Sequence, residues 1–189
     1  MSEKPGQRPG AIHVCPWWFC YTFDNPLRRL VHRPERLLGP YIQKGMTAMD
    51  VGCGMGYFSL GLAKLVGETG RVIAVDLQPK MLNVLQKRAA RAGLLSRIQT
   101  RRCTADSLGI MEPLDFILTF WMVHEVPEIS RFFPQLRARL KPAGKYLLVE
   151  PRGHVSASRF EATLAAAQKA GFRLLHQPRV SLSRAALLE

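Results

Sequence analysis

The residues in this sequence with the plainest chemical meaning are three glycines and three carboxylates. Asp50-Val-Gly52-Cys53-Gly54-Met-Gly56 follows a short apolar run and precedes an amphipathic one. Glycines at such a turn let the backbone reverse tightly and approach a ligand with no Cβ in the way. The helix that follows adds unpaired N–H donors. Dinucleotide-binding turns use this place for a pyrophosphate, with the spacing G-x-G-x-x-G. Here the third glycine falls one residue early and Tyr57 stands where that fingerprint wants glycine, so a near-neutral nucleoside fits better. Asp76 ends the next apolar run, where a carboxylate can accept both hydroxyls of a ribose. Asp106, in Thr104-Ala105-Asp106-Ser107, follows the third run and can accept from an adenine amino group. Asp50 can favour a cationic group of the ligand. Three acids at three successive strand ends, in a chain of formal charge +13, point to a cationic nucleoside. Each of them singly also has the look of an ordinary loop or cap acid.

These residues need a frame that brings strand ends together, and the pattern from residue 47 supplies one. Short apolar runs at Thr47–Val51, Arg71–Val75, Ile98–Arg102, Phe116–Phe120 and Lys145–Val149 read as strands. Helical stretches at Tyr57–Val66, Pro79–Ala92 and Ile129–Leu140 lie between them. In the second of these, Met81, Leu85, Ala89 and Ala92 fall on one face, with Lys80, Lys87 and Arg91 away from it. Strand–helix alternation with runs buried on both faces predicts an α/β, doubly wound, Rossmann-like sheet. A helix at Ala157–Ala170 leads to two close strands, Phe172–Gln177 and Ser183–Leu188, with Pro178 and Ser181 in the turn. That is an antiparallel C-terminal hairpin closing one edge.

Ahead of this frame, residues 1–10 read as a flexible tail. Residues 11–45 read as an aromatic segment followed by helices: Asp24-Asn25-Pro26 starts a helix, Pro34 restarts it and Gly45 ends it. Residues 46–189 form the nucleoside-binding domain.

At this point the chain resembles the class I S-adenosylmethionine-dependent methyltransferases over roughly residues 35–189. The resemblance rests on Asp50 through Gly56, on Asp76, on Ala105-Asp106, on Leu114 through Val126 as the fourth strand and its exit, and on Leu140 through Glu150 as the fifth. The nearest branch is similar to the small-molecule and quinone-biosynthesis C-methyltransferases. The resemblance implies a seven-stranded sheet, mostly parallel with an antiparallel last hairpin, and S-adenosylmethionine held by Asp50, Gly52, Cys53, Gly54, Gly56, Asp76, Leu77, Ala105 and Asp106.

A sulfonium methyl is already activated, so transfer is an in-line displacement in which position and desolvation matter most. A base helps only where the nucleophile must lose a proton. His124 is the candidate base and Arg152 a candidate partner for an acidic acceptor. Trp121 and Glu125 at the fourth-strand exit, Glu150 and His154 at the fifth, and Trp17, Trp18 and Tyr21 in an N-terminal lid are candidate substrate contacts. His124 reads equally well as a packed structural histidine, and the tryptophans as core anchors. Phe120-Trp121-Met122-Val123 lacks the Asn/Asp-Pro-Pro-aromatic motif of enzymes that methylate the amino groups of adenine or glutamine.

The acceptor expected is a small organic molecule. An RNA or protein methyltransferase using a basic face, and a non-catalytic nucleoside-binding module, remain alternatives. The basic face is the stretch from Asp76 to Asp106, where Lys80, Lys87, Arg88, Arg91, Arg97, Arg101 and Arg102 occur with no acid between. It also reads as a solvated helix plus an edge strand kept soluble by charge. The remaining excess is spread along the chain without a basic arm, so nucleic acid is not favoured. His13, Cys15 and Cys20 are poorly spaced for zinc, and no metal is expected. No run reaches the length of a membrane span and no signal peptide is visible, which predicts a cytoplasmic protein.

Overall fold

A computed structural model gives the fold, and the structure describes residues 31–189. The tail, the aromatic lid with Trp17, Trp18 and Tyr21, Cys15, Cys20 and the helix start at Asp24 lie outside the described residues. Helix α1 (Pro34–Leu38) begins at the expected proline but is short. Pro40 lacks the N–H that a further α-turn needs. The chain tightens to a 3₁₀ turn at Gly39–Tyr41, and Ile42 is already extended. The expected continuation to Gly45 is therefore corrected; Gly45 instead makes the left-handed turn into the first strand.

Seven strands follow: β1 (Thr47–Val51), β2 (Arg71–Asp76), β3 (Ile98–Arg102), β4 (Leu114–Phe120), β5 (Leu140–Pro151), β6 (Leu174–His176) and β7 (Ser183–Leu188). Helices α2 (Tyr57–Leu65), α3 (Pro79–Arg91), α4 (Ile129–Arg139) and α5 (Ala157–Lys169) connect them. The sheet order is β3-β2-β1-β4-β5-β7-β6. The first five strands pair in parallel and β7 runs antiparallel to both β5 and β6.

The central strands are apolar at consecutive positions because both faces are covered. Ala48, Val72, Ala74, Phe116 and Leu118 pack under α1, α2 and α3. Met49, Val51, Ile73, Val75 and Ile117 pack under α4 and α5. At the base of the sheet the Asp115 carboxylate accepts Thr47 N–H at 2.8 Å and Lys141 Nζ at 2.6 Å, fixing the starts of β1, β4 and β5 relative to one another. The strand order reverses direction between β1 and β4. In an open α/β sheet the crevice above that point, at the carboxyl ends of the strands, is where a ligand finds exposed backbone and side chains from both halves. No helix among the described residues is long and apolar enough to cross a membrane.

Candidate active site

The glycine turn is built by positive backbone angles: φ is +68° at Gly52, +53° at Gly54 and +85° at Gly56. Each glycine meets a different need. A Cβ at Gly52 would press on the Met122 side chain, and one at Gly56 would overlap Leu85 of α3. A Cβ at Gly54 would meet no atom of the described residues within 4 Å, because Gly54 faces the open crevice. The turn is anchored by Gly52 and Cys53 N–H, both donating to the Val75 carbonyl at 2.8 and 3.1 Å.

Asp76, at the tip of β2, joins this turn to the next. Its Oδ2 accepts Gly54 N–H at 2.9 Å and its Oδ1 accepts Gln78 N–H at 2.8 Å. Burial pushes its carboxyl above the ordinary value, and the amide donors of Gln78 and Gly54 partly offset this. Two bonds leave lone pairs on both oxygens for a ligand's hydroxyls.

Around these residues opens a cleft of about 930 Å³ counted to its mouth. Of the residues singled out in the sequence, Gly52, Gly54, Asp76, Leu77, Ala105, Trp121 and Glu125 line it. Asp50, Cys53, Gly56, Asp106, His124, Glu150, Arg152 and His154 do not. Asp50 is buried and turned into α2, where it accepts Ser59 Oγ–H at 2.5 Å. The Asp106 backbone carbonyl accepts from Gln135 Nε2 at 2.9 Å. Cys53 is buried and its thiol is pushed well up by burial, then by the nearby Asp50 and Asp76 charges. Cys103, on the cleft wall, is pushed up to about 11 by burial and Asp76. Both thiols stay protonated, unlike nucleophilic or metal-binding cysteines.

Behind the β4 exit lies a second group. The Glu150 carboxylate accepts Val123 N–H at 3.0 Å, His124 N–H at 3.2 Å and the His124 ring at Nδ1 at 2.7 Å. His124 Nε2 is 4.0 Å from Glu125, the rings of His124 and His154 are 4.8 Å apart, and Arg159 donates to the His124 carbonyl at 3.0 Å. Arg152 is turned toward β7, its Nε donating to the Ser183 carbonyl at 2.8 Å. So His124, Glu150 and His154 cluster together, while Arg152 is held apart from them.

Sequence reasoning missed several cleft residues, among them Met122 and Gln135. Gln135 shapes the wall through its amide, accepting Leu108 N–H at 3.0 Å while donating to Asp106. The available signal was a lone amide beside the buried stripe Phe132, Phe133 and Leu136 of α4. Met122 gave no signal, since its place depends on the turn after β4. The cleft's charged lining consists of Asp76 and Glu125, with no Lys, Arg or His among the described lining residues. That is a cation-accepting cleft in a chain of charge +13.

A family model described as a methyltransferase domain matches residues 48–144, just over half of the chain. The chain belongs to that family. By family it is a methyltransferase domain. Among curated relatives, it is similar to a demethylmenaquinone methyltransferase of Oceanobacillus iheyensis, 29% identical over 110 residues, covering 58% of this chain and 46% of that one. A ubiquinone biosynthesis O-methyltransferase of Paramagnetospirillum magneticum is 32% identical over 115 residues, covering 61% and 43%. The matched part thus spans less than half the length of either relative. The structure superposes on an S-adenosylmethionine-dependent methyltransferase from Aquifex aeolicus with a TM-score of 0.81 at 24% identity, covering 93% of this chain and 98% of that one. The family's cofactor fits the residues present. A sulfonium nucleoside suits an acidic cleft, and the bare wall at Gly54 leaves room for close approach.

Proposed function

We propose that this chain transfers a methyl group from S-adenosylmethionine to a small organic acceptor. The observation that carries the reading is the Asp76 carboxylate, bonded to the Gly54 and Gln78 amides on the wall of a cleft whose charged lining is acidic. The cofactor supplies a methyl group on a positively charged sulfur. Asp76 accepts the ribose hydroxyls. Leu77, Leu108 and Phe132 offer apolar surface to the adenine, and its amino group is assigned to Ala105 on the cleft wall and to the neighbouring Asp106, which is not itself in the lining. Asp50, Cys53 and Gly56 act by shaping the turn beside Gly52 and Gly54.

On the acceptor side this reading assigns Trp121 to the cleft wall and His124 to proton removal, with Glu150 behind it. Arg152 and His154 are assigned to an acidic acceptor, although neither lines the cleft and Arg152 is turned toward β7. Trp17, Trp18 and Tyr21 are assigned to a lid over the site. The names of the two quinone-pathway relatives support an acceptor of that size. The basic face keeps an RNA or protein acceptor as the second reading, since Lys87, Arg91 and Arg102 form no ion pair among the described residues.

Calorimetry with S-adenosylmethionine, S-adenosylhomocysteine and NAD tests the cofactor assignment. Binding of the first two and not of NAD is expected; tight NAD binding with no response to the other two overturns it. Methyl release with a panel of small acceptors, against RNA under a salt series, then separates the two acceptor readings.

A further inference from the structure

The cleft wall after β3 is a loop, and Thr104 to Ser107 are exposed. Its own bonds close a small turn without tying it to the body of the protein. Thr104 N–H donates to the Ser107 carbonyl at 2.9 Å, and Thr104 Oγ1 accepts Ser107 N–H at 3.1 Å. Ser107 Oγ accepts Gly109 N–H at 3.2 Å. Among the described residues, one side chain from outside bonds the backbone of residues 104–109, and it is Gln135 of α4. Its Oε1 accepts Leu108 N–H at 3.0 Å and its Nε2 donates to the Asp106 carbonyl at 2.9 Å. Nε2 also donates to the Arg131 carbonyl, one turn back on α4, at 3.1 Å. The amide is therefore held from the helix while it holds the loop.

The pairing has the form of a sheet contact. A residue in a parallel strand donates its N–H to the carbonyl just before the residue opposite, and its carbonyl accepts from the N–H just after. The Gln135 amide does this to either side of Ser107, at a place where no strand runs. A primary amide is suited to the task because its donor and acceptor share one rigid plane. A carboxylate of the same shape cannot donate, and a thioether of similar length does neither well. Gln135 and the loop residues Ala105, Ser107 and Leu108 all line the cleft.

We propose that Gln135 is the positioning residue that sets the base selectivity of the cofactor site. It acts through the loop that carries Ala105 and Asp106. A loop pinned in place presents its acceptors at fixed points, so a base with an oxo group in place of the amino group leaves them unpaired and is rejected. A loop free to shift relaxes away from the mismatch and loses the distinction. This rests on the cofactor reading above and adds the residue that decides which nucleoside is accepted.

The test titrates the full chain by calorimetry with S-adenosylhomocysteine and with S-inosylhomocysteine, which carries an oxo group where the first has the amino group. The wild-type protein is expected to bind the adenosyl compound at least about tenfold more tightly, equivalent to about 1.4 kcal/mol. In Gln135→Met that ratio is expected to fall below about threefold. Gln135→Glu keeps the shape and the acceptor for Leu108 N–H, but sets a carboxylate against the Asp106 carbonyl; its ratio is expected to fall as far. If one variant does not fold, the other carries the comparison, and thermal unfolding of each is measured alongside. A variant that loses stability yet keeps the wild-type ratio shows a merely structural glutamine and overturns the proposal. Equal affinity for the two compounds in the wild type, or an equal loss of both in the variants, overturns it as well. Failure of the wild type to bind S-adenosylhomocysteine at all overturns the cofactor reading, and this proposal with it.

Discussion

Nδ1 of His124 lies 2.7 Å from Oε2 of Glu150, a carboxylate whose side chain is 1% exposed. In its ionised form this carboxylate can only accept, and two backbone N–H groups already point at it, so the imidazole is the donor. The bond therefore does two things. It closes the turn after β4, from which Met122 and Glu125 reach the cleft, and it leaves His124 Nε2 as the ring atom able to take a proton.

Glu150→Gln is expected to destabilise the fold by about 1.5–3 kcal/mol, the range for losing a charged hydrogen-bond partner. One amide oxygen cannot serve three donors, and the amide NH₂ opposes one of them. Urea unfolding of the two proteins measures the loss; equal midpoints and slopes contradict it.

Asp76→Ala is expected to weaken S-adenosylmethionine binding by about 1–3 kcal/mol, read by calorimetry. The wild-type affinity is expected to rise with pH through the range just above that of an ordinary carboxylate, because burial raises the Asp76 carboxyl and the charged form is the better acceptor. Stability carries the opposite sign. The folded protein holds this proton more tightly than the unfolded chain, so the group's contribution falls as pH rises through the same window. An alanine variant with the parental pH profile in both measurements would refute the assignment.

Gly54→Ala and Gly56→Ala are expected to differ. Both place a Cβ on a residue with positive φ, at a cost of roughly 1–2 kcal/mol each. Only at Gly56 does that Cβ also overlap Leu85, adding about 1–3 kcal/mol of overpacking. Thermal unfolding should rank Gly56→Ala below Gly54→Ala, while Gly54→Ala should show the larger loss of cofactor affinity per unit of lost stability.

Arg184→Met is expected to leave stability unchanged or to raise it by up to about 1 kcal/mol. Its Nη1 is buried with no hydrogen-bond partner among the described residues, so the substitution removes a desolvated donor and keeps the apolar stem. A midpoint lowered by several degrees would show that the guanidinium has a partner in solution.

Much of the frame was legible because its signals are local. Thr47–Val51 and Ile98–Arg102 were bounded correctly since a buried strand reads as an unbroken apolar run or ends in charge at an edge. α3 was legible because its stripe has one clear period, although Ala92 proves exposed at the helix end. In the site, Gly52, Gly54 and Asp76 announced themselves through a turn chemistry that few residues can satisfy. Glu150 did not. An acid ending a strand looks the same whether it meets a ligand or three donors from a turn far along the chain. Trp121 was visible as an aromatic at a strand exit, but its indole Nε1 donates to Ser183, sixty-two residues away, and no local pattern encodes that.

The seam between β1 and β4 also bears on how the molecule assembles. The two strands are neighbours, yet the Thr47–Asp115 bond at their base joins residues 68 apart. Closing so long a loop comes before any of the contacts that reward it, which makes this pairing slow compared with the local steps of β1, α2 and β2. The cleft stands directly above that seam and draws its walls from both halves of the chain. A partly synthesised chain that ends before β4 has the glycine turn and Asp76 but no opposite wall. Cofactor binding is thereby coupled to completion of the sheet: it stabilises only the finished molecule and reports, in a refolding experiment, the last large step instead of the first.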